Sequence, residues 1–238
     1  MIPVFYLDEC ASTQDESVRF LLYGDSETFA VYTFKQTNGK GQYGNSWESS
    51  VNRNIAYSFA VPANRIRVPT PSLNFYTAII LRDFLANLST FPVEIKWPND
   101  LIIRNKKISG ILIEKKNINE IPYFIIGIGL NVLQEDFRHI PKAGSLLTQT
   151  GIRFELKEMV ERFHEFFSER IFQNAPGPEI WNKINKDLFR KDEVSVFEIK
   201  GIRQNGIIKN VDEEGFLWVE LENDGLRRFF HKEIEMLY

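Results

Sequence analysis

The sequence predicts an α+β fold over residues 1–190 and a small all-β module over residues 191–238. Three observations carry this. Strand-like and helix-like apolar patterns follow one another without the regular βαβ alternation of a doubly wound sheet. Apolar residues recur at helical spacing in 154–173, and 72–88 is a long apolar helix. After Arg190 the chain breaks into short strand-like runs of even spacing, separated by turn residues.

Taken in order, residues 4–7 read as a strand. Ser12 and Thr13 can cap a helix whose apolar face is Val18, Leu21 and Leu22. Residues 30–34 are a second strand. Residues 36–54 form a long polar loop with Gly39, Gly41 and Gly44 and the aromatics Tyr43 and Trp47. Long loops in compact domains tend to carry function. Residues 55–61 are a strand. The helix at 72–88 is apolar almost all round and so should be buried. Strand-like runs follow at 93–97, 101–103 and 111–114, with Asn105-Lys106 as the turn between the last two, and then at 123–132. In 154–173 the helical spacing is set by Leu156, Met159, Val160, Phe163, Phe166, Phe167 and Ile171, and NAPGP at 174–178 breaks it. A shorter helix spans 179–189. The last strands are 194–199, 206–211, 216–221 and 226–230, with turns at Gln204-Asn205-Gly206, at 212–215 and at Asn223-Asp224-Gly225. They suggest a small barrel or sandwich.

Composition narrows the function. A net charge of −3 leaves no surplus of Lys and Arg to replace phosphate counterions, so general nucleic-acid binding is not expected. Cys10 is the one cysteine, which forbids an intrachain disulfide and fits a reducing compartment. His139, His164 and His231 lie far apart and show no metal-ligand spacing, so no protein-built metal site is expected. No secretory leader opens the chain, and no run reaches the roughly 18–20 apolar residues of a membrane span. The cytoplasm is the expected location, with no membrane partner.

Four segments carry more polar chemistry than packing requires. Ser12-Thr13-Gln14 is a helix cap on the plain view, or a set of small hydrogen-bonding groups facing a ligand. Residues 35–47, KQTNGKGQYGNSW, are a surface loop, or an anion-binding loop whose glycines let backbone N–H groups approach phosphate while Lys40 adds charge and Trp47 covers the site. No G-x-G-x-x-G opens a helix after a strand and no G-K-[ST] is present, so this is neither a Rossmann nor a P-loop fingerprint. The third segment is Lys96-Trp97-Pro98-Asn99-Asp100 followed by Lys107-Ile108-Ser109-Gly110. A solvated turn has no need of such residues, and Gly110 leaves room for a ligand beside Lys107. In the fourth, Gly127 and Gly129 weaken a strand unless something approaches it closely, and Asn131 can offer that something an amide.

K-W-P-N-D, then K-x-x-G-I-L, then G-x-G-x-N, preceded by S-T and by Q-x-x-G-K-G-x-x-G-x-x-W, together resemble the biotin–protein ligases in order and spacing over nearly the whole chain. The resemblance implies a mixed sheet with helices like the class II aminoacyl-tRNA synthetase core, plus a C-terminal SH3-like β-barrel. It implies activation of biotin with ATP and Mg²⁺ to biotinyl-5′-AMP, then transfer to a lysine of a biotin carboxyl carrier protein. Many bacterial members carry an N-terminal DNA-binding domain. Here the catalytic pattern begins at residue 1, so no DNA binding is expected. Family dimers pair through sheet edges, so a homodimer is a further expectation.

The resemblance assigns Lys107 to biotin's carboxylate and the α-phosphate, and Lys40 with the amides near Gly39 and Gly41 to the phosphate. Asp100 orients or deprotonates the acceptor lysine. Ser12, Thr13, Gln14, Gln36, Lys40, Gly41, Gln42, Lys107 and Gly110 form the biotin set, and Gly39, Lys40, Gln42, Trp47, Asn99, Lys107 and Asn131 the ATP set. The anhydride is labile to water, so the loop from Gly39 to Trp47 is expected to be mobile without ligand and to close over it. The chain departs from the family at Gln14, where Asn is frequent, and at Gln42 and Tyr43, where many members have arginines. Two alternatives remain: a lipoate–protein ligase, whose R-R-x-S-G-G-G signature is absent, and a non-catalytic biotin sensor, which would not need Lys40, Lys107 and Asp100 together.

Overall fold

A computed structural model describes residues 2–24 and 27–238. Strand β1 (Val4–Leu7), helix α1 (Thr13–Tyr23) and strand β2 (Phe29–Thr33) open the chain, with β1 parallel to β2. The segment expected as one long loop holds a small hairpin of β3 (Gly39–Lys40) and β4 (Ser46–Trp47) around a 3₁₀ turn. Strand β5 (Asn54–Pro62) and helix α2 (Leu73–Ala86) follow. Then come β6 (Glu94–Lys96), β7 (Asp100–Ile103), β8 (Lys106–Ile118) and β9 (Ile121–Asn131). Helices α3 (Leu146–Thr150), α4 (Leu156–Arg170) and α5 (Gly177–Lys186) lead to β10 (Val194–Ile199), β11 (Ile202–Val211), β12 (Leu217–Leu221), β13 (Gly225–Phe229) and β14 (Glu235–Leu237).

The large sheet has seven strands in the order β1-β2-β5-β9-β8-β7-β6, antiparallel except for β1 with β2. It is the mixed sheet with helices that the resemblance implies. One face packs on α2, α4 and α5 through a core that includes Tyr57, Phe59, Leu81, Phe163 and Phe167. The other face carries α1 over Phe29, Val31, Ala60 and Ile125. Strand β5 is buried along its whole length, because both of its faces are covered.

The C-terminal strands form an antiparallel sheet in the order β13-β12-β11-β10-β14. No pairing between β13 and β14 closes it among the described residues, so a closed barrel is not what the hydrogen bonds form. The turn expected at Gln204-Asn205-Gly206 lies instead inside β11. A side chain at Gly206 would press on Leu221, Phe197 and Val219 at 3.0 Å, so this glycine serves packing. The turn falls at Lys200-Gly201, both at positive φ (48° and 81°). Likewise the β7–β8 turn is Arg104-Asn105, at φ 50° and 62°, one residue before the position expected.

His164 on α4 is buried, with Tyr57 Oη 2.9 Å from Nδ1 and the Ile2 carbonyl 2.9 Å from Nε2. The carbonyl can only accept, so Nε2 carries the proton and Nδ1 accepts from Tyr57. Burial holds this imidazole below the usual histidine range, against the Ile2 bond. The folded chain therefore takes up a proton later than the unfolded chain as pH falls. Stability is complete above the unfolded value, about 6.5, and is lost as pH falls below it toward the depressed folded value. Between pH 7.5 and 5.5 the thermal midpoint should drop more in the wild type than in His164→Gln, which keeps an amide there but does not titrate. Equal slopes would assign the drop elsewhere.

Candidate active site

One pocket forms where the start of α1, the β3–β4 hairpin and strands β5, β8 and β9 meet. It gathers Ser12, Thr13, Gln14, Gln36, Lys40, Gly41, Gln42, Trp47, Asn99, Asp100, Lys107 and Gly110. Two expected residues stand outside it. Gly39 packs its backbone against Trp47, where a side chain would collide with the Trp47 carbonyl. Asn131 is buried and donates Nδ2 to the Gly144 carbonyl at 3.0 Å.

The polar end is built around Thr13. Its N–H donates to Gln36 Oε1 at 2.9 Å, and Ser58 Oγ donates to its hydroxyl at 2.8 Å. Gln14 Nε2 donates to the Leu112 carbonyl at 3.0 Å. Ser12 is the N-cap of α1 but makes no capping bond with its side chain. Its Oγ is buried without a partner among the described residues, as are Gln14 Oε1 and Trp47 Nε1. Each such atom costs about 1–3 kcal/mol. With His231 Nδ1, also unpartnered among the described residues and in the same lining, they are groups that a ligand with complementary donors and acceptors would satisfy.

The floor is glycine. Gly110 of β8 pairs with Gly129 of β9, and the Trp47 indole lies on the pair. A Cβ on Gly110 would sit 3.3 Å from the indole, and one on Gly129 would overlap it. About 150 Å³ of space remains beside Trp47. Gly127, two residues earlier on β9, makes room for Gln14.

The charged end is Lys107, whose Nζ is 2.7 Å from Asp100 Oδ1 and 5.6 Å from the centre of the Trp47 ring. Asp100 starts β7 beside β8, and Asn99 ties the preceding turn to β8 by donating Nδ2 to the Ile111 carbonyl at 2.6 Å. Lys40 Nζ pairs with Asp15 at 2.6 Å, but both are about half exposed, so this pair is weak and exchangeable. Cys10 lies beside the pocket as an inert thiol. Burial pushes it up to about 11, with Glu16, Asp15 and Glu9 adding to the effect.

Several contributors have no place in the expected set. Ser58 is one, and a hydroxyl inside the otherwise apolar run 55–61 was a signal for it. Lys96 lines a second cleft of about 530 Å³ with Asn99, Asp100 and residues of the C-terminal sheet. Burial lowers its ammonium below the usual lysine range, Lys107 and Lys142 push the same way, and Asp100 and Glu235 oppose them. His231, on the turn after β13, lines both cavities. No local motif announces it.

Known proteins resemble this chain over most of its length. A bifunctional ligase/repressor of Bacillus subtilis is 26% identical over 98% of this chain and 74% of its own length. A biotin–[acetyl-CoA-carboxylase] ligase of Mycobacterium tuberculosis is 27% identical over 78% of this chain and 71% of its own. Among solved structures, a biotin protein ligase from Aquifex aeolicus in complex with biotin and ATP superposes with a TM-score of 0.80 at 24% identity, covering 100% of this chain and 99% of that one. The profile of the biotin/lipoate A/B protein ligase family matches residues 12–131, just over half of the chain. With that match spanning the polar end, the glycine floor and the Lys107–Asp100 pair, the chain belongs to the biotin/lipoate A/B protein ligase family.

Proposed function

We propose that this protein activates biotin with ATP to biotinyl-5′-AMP and transfers the biotinyl group to a lysine of a biotin carboxyl carrier protein. One observation carries the proposal: a single pocket joins unpartnered polar atoms, a glycine floor and the Lys107–Asp100 pair. Biotin's ureido ring carries donors and an acceptor that would meet Ser12, Thr13, Gln14 and Gln36. Its bicycle would take the place of the Trp47 indole over Gly110 and Gly129, and its carboxylate would reach Lys107. The names of the relatives and structural neighbours support the same substrate.

In the first step a carboxylate oxygen attacks the α-phosphorus and pyrophosphate leaves. Two anions must meet, so fixed positive charge is the main requirement. Lys107 supplies it, aided by Lys40 and the loop amides at Gly41 and Gln42. Trp47 and Asn99 would border the nucleotide. In the second step the acceptor amine attacks the acyl carbon, the bond to phosphate breaks and AMP leaves. The amine must first lose a proton, and Asp100, beside Lys107, can take it. Asp100 is the one acid among the described residues lining the pocket, which fits a Mg²⁺ that arrives on the phosphates of ATP and not a resident metal site. The ion would screen phosphate charge. The 191–238 module, SH3-like in this reading, would border the entry of the carrier, and the activity would be cytoplasmic.

Purified protein mixed with ATP, Mg²⁺, a carrier domain and either biotin or lipoate tests this. A biotin-sized mass gain on the carrier, seen with biotin alone, is the expected result. A gain with lipoate moves the protein to the lipoate branch. Absence of both modification and biotin-dependent pyrophosphate release leaves a sensor.

A further inference from the structure

We propose that His231 and Lys232, on the turn between β13 and β14, clasp the apex of the β3–β4 hairpin through Tyr43 and so set how readily the pocket opens. The apex is Tyr43, a non-glycine residue held in left-handed backbone (φ 57°, ψ 35°). Such a conformation is costly for a bulky residue and persists where the surroundings impose it. Tyr43 is half exposed, and its partners come from the turn between β13 and β14. Its ring stacks on His231 with centroids 4.5 Å apart and planes at 19°. Lys232 Nζ lies 4.8 Å from the ring centre and 3.4 Å from the Tyr43 carbonyl oxygen. His231 is fixed from behind by Trp97, 5.8 Å away between ring centroids.

This arrangement matters because the hairpin forms one wall of a narrow pocket. The space left beside Trp47, about 150 Å³, is below the roughly 300 Å³ at which ligand sites begin. A larger ligand gains room if the hairpin moves, and the contacts of Tyr43 with His231 and Lys232 hold the hairpin in place. Burial favours the uncharged imidazole, Lys96 and Lys232 press the same way, and Asp100 opposes them, so His231 presents a flat neutral ring to the tyrosine. His231 and Lys232 are thus positioning residues, contributed by a turn far along the chain from the hairpin they hold.

The inference rests on the proposed reaction only for the identity of what enters. Its test needs no ligand. In the unliganded protein, amide hydrogen exchange over residues 41–46 should quicken roughly three- to tenfold in His231→Ala and in Tyr43→Ala, the worth of one aromatic pair. The double variant should be no faster than the faster single one. His231→Phe, which keeps a stacking ring, should stay near wild type, and Lys232→Ala, at an exposed position, should show a smaller increase. Thermal melts of each variant separate loss of the clasp from loss of the fold. Unchanged exchange in His231→Ala, or effects that multiply in the double variant, overturns the clasp. Failure of biotin ligation alone would leave the exchange result standing.

Discussion

Lys107→Ala should lose about 10²–10³ in turnover, the cost of removing one charge-stabilising donor from a preorganised site. Among the described residues lining the pocket, only Lys40 and Lys107 are lysines, and no arginine lines it. Lys40 is 42% exposed and already paired with Asp15, so solvent screens it. Lys107 is less exposed, lies beside the glycine floor and is held by Asp100. The variant should therefore fail mainly in adenylate formation. Supplying preformed biotinyl-AMP should restore much of the carrier labelling, whereas Asp100→Asn should remain slow with the adenylate supplied. Single-turnover rates for each half-reaction distinguish the two. A Lys107→Ala protein that forms adenylate at the wild-type rate would remove Lys107 from the first step.

Gly129→Val should weaken biotin binding by about 1–3 kcal/mol, roughly 5- to 150-fold, while the protein stays folded. Valine is at ease in a strand, and Gly129 lies within β9, paired with Ala56 and Gly110. What it cannot do there is share space with the Trp47 indole or with a ring replacing it. Gly110→Val should act in the same direction, with the added collision on Lys107. Titration calorimetry, with a thermal melt as control, measures this. Unchanged affinity in both variants would mean that the ligand lies elsewhere.

Much of this was legible in the sequence because two kinds of signal are local. Strands β1 and β10 fall at the residues expected, since short apolar runs bounded by turn residues leave little choice. The polar motifs converge on one pocket because strand pairing turns their spacing into adjacency: Gly110 faces Gly129, and Asp100 faces Gly110. What failed was tertiary. Strand β8 runs on to Ile118, past the charges at Glu114, Lys115 and Lys116, because pairing with β9 supports it beyond the core. Asn205-Gly206 has the look of a turn, yet packing against Phe197 claims the glycine. Strand β14 has three residues and exists through its pairing with β10. His231 meets Tyr43 only through the fold, and no spacing rule reaches that far.

Trp97 donates Nε1–H to the Gly215 carbonyl at 2.9 Å, and residues of both sheets, among them Ile95, Phe197 and Leu217, share one apolar cluster. In thermodynamic terms the two sheets share an interface, and a single unfolding transition is the expected result. The turn that carries Asn99 and Asp100 has no stability of its own to spend. Removal of the last 48 residues should therefore disturb the turn as well as the sheet, which a melt of the truncated chain measures.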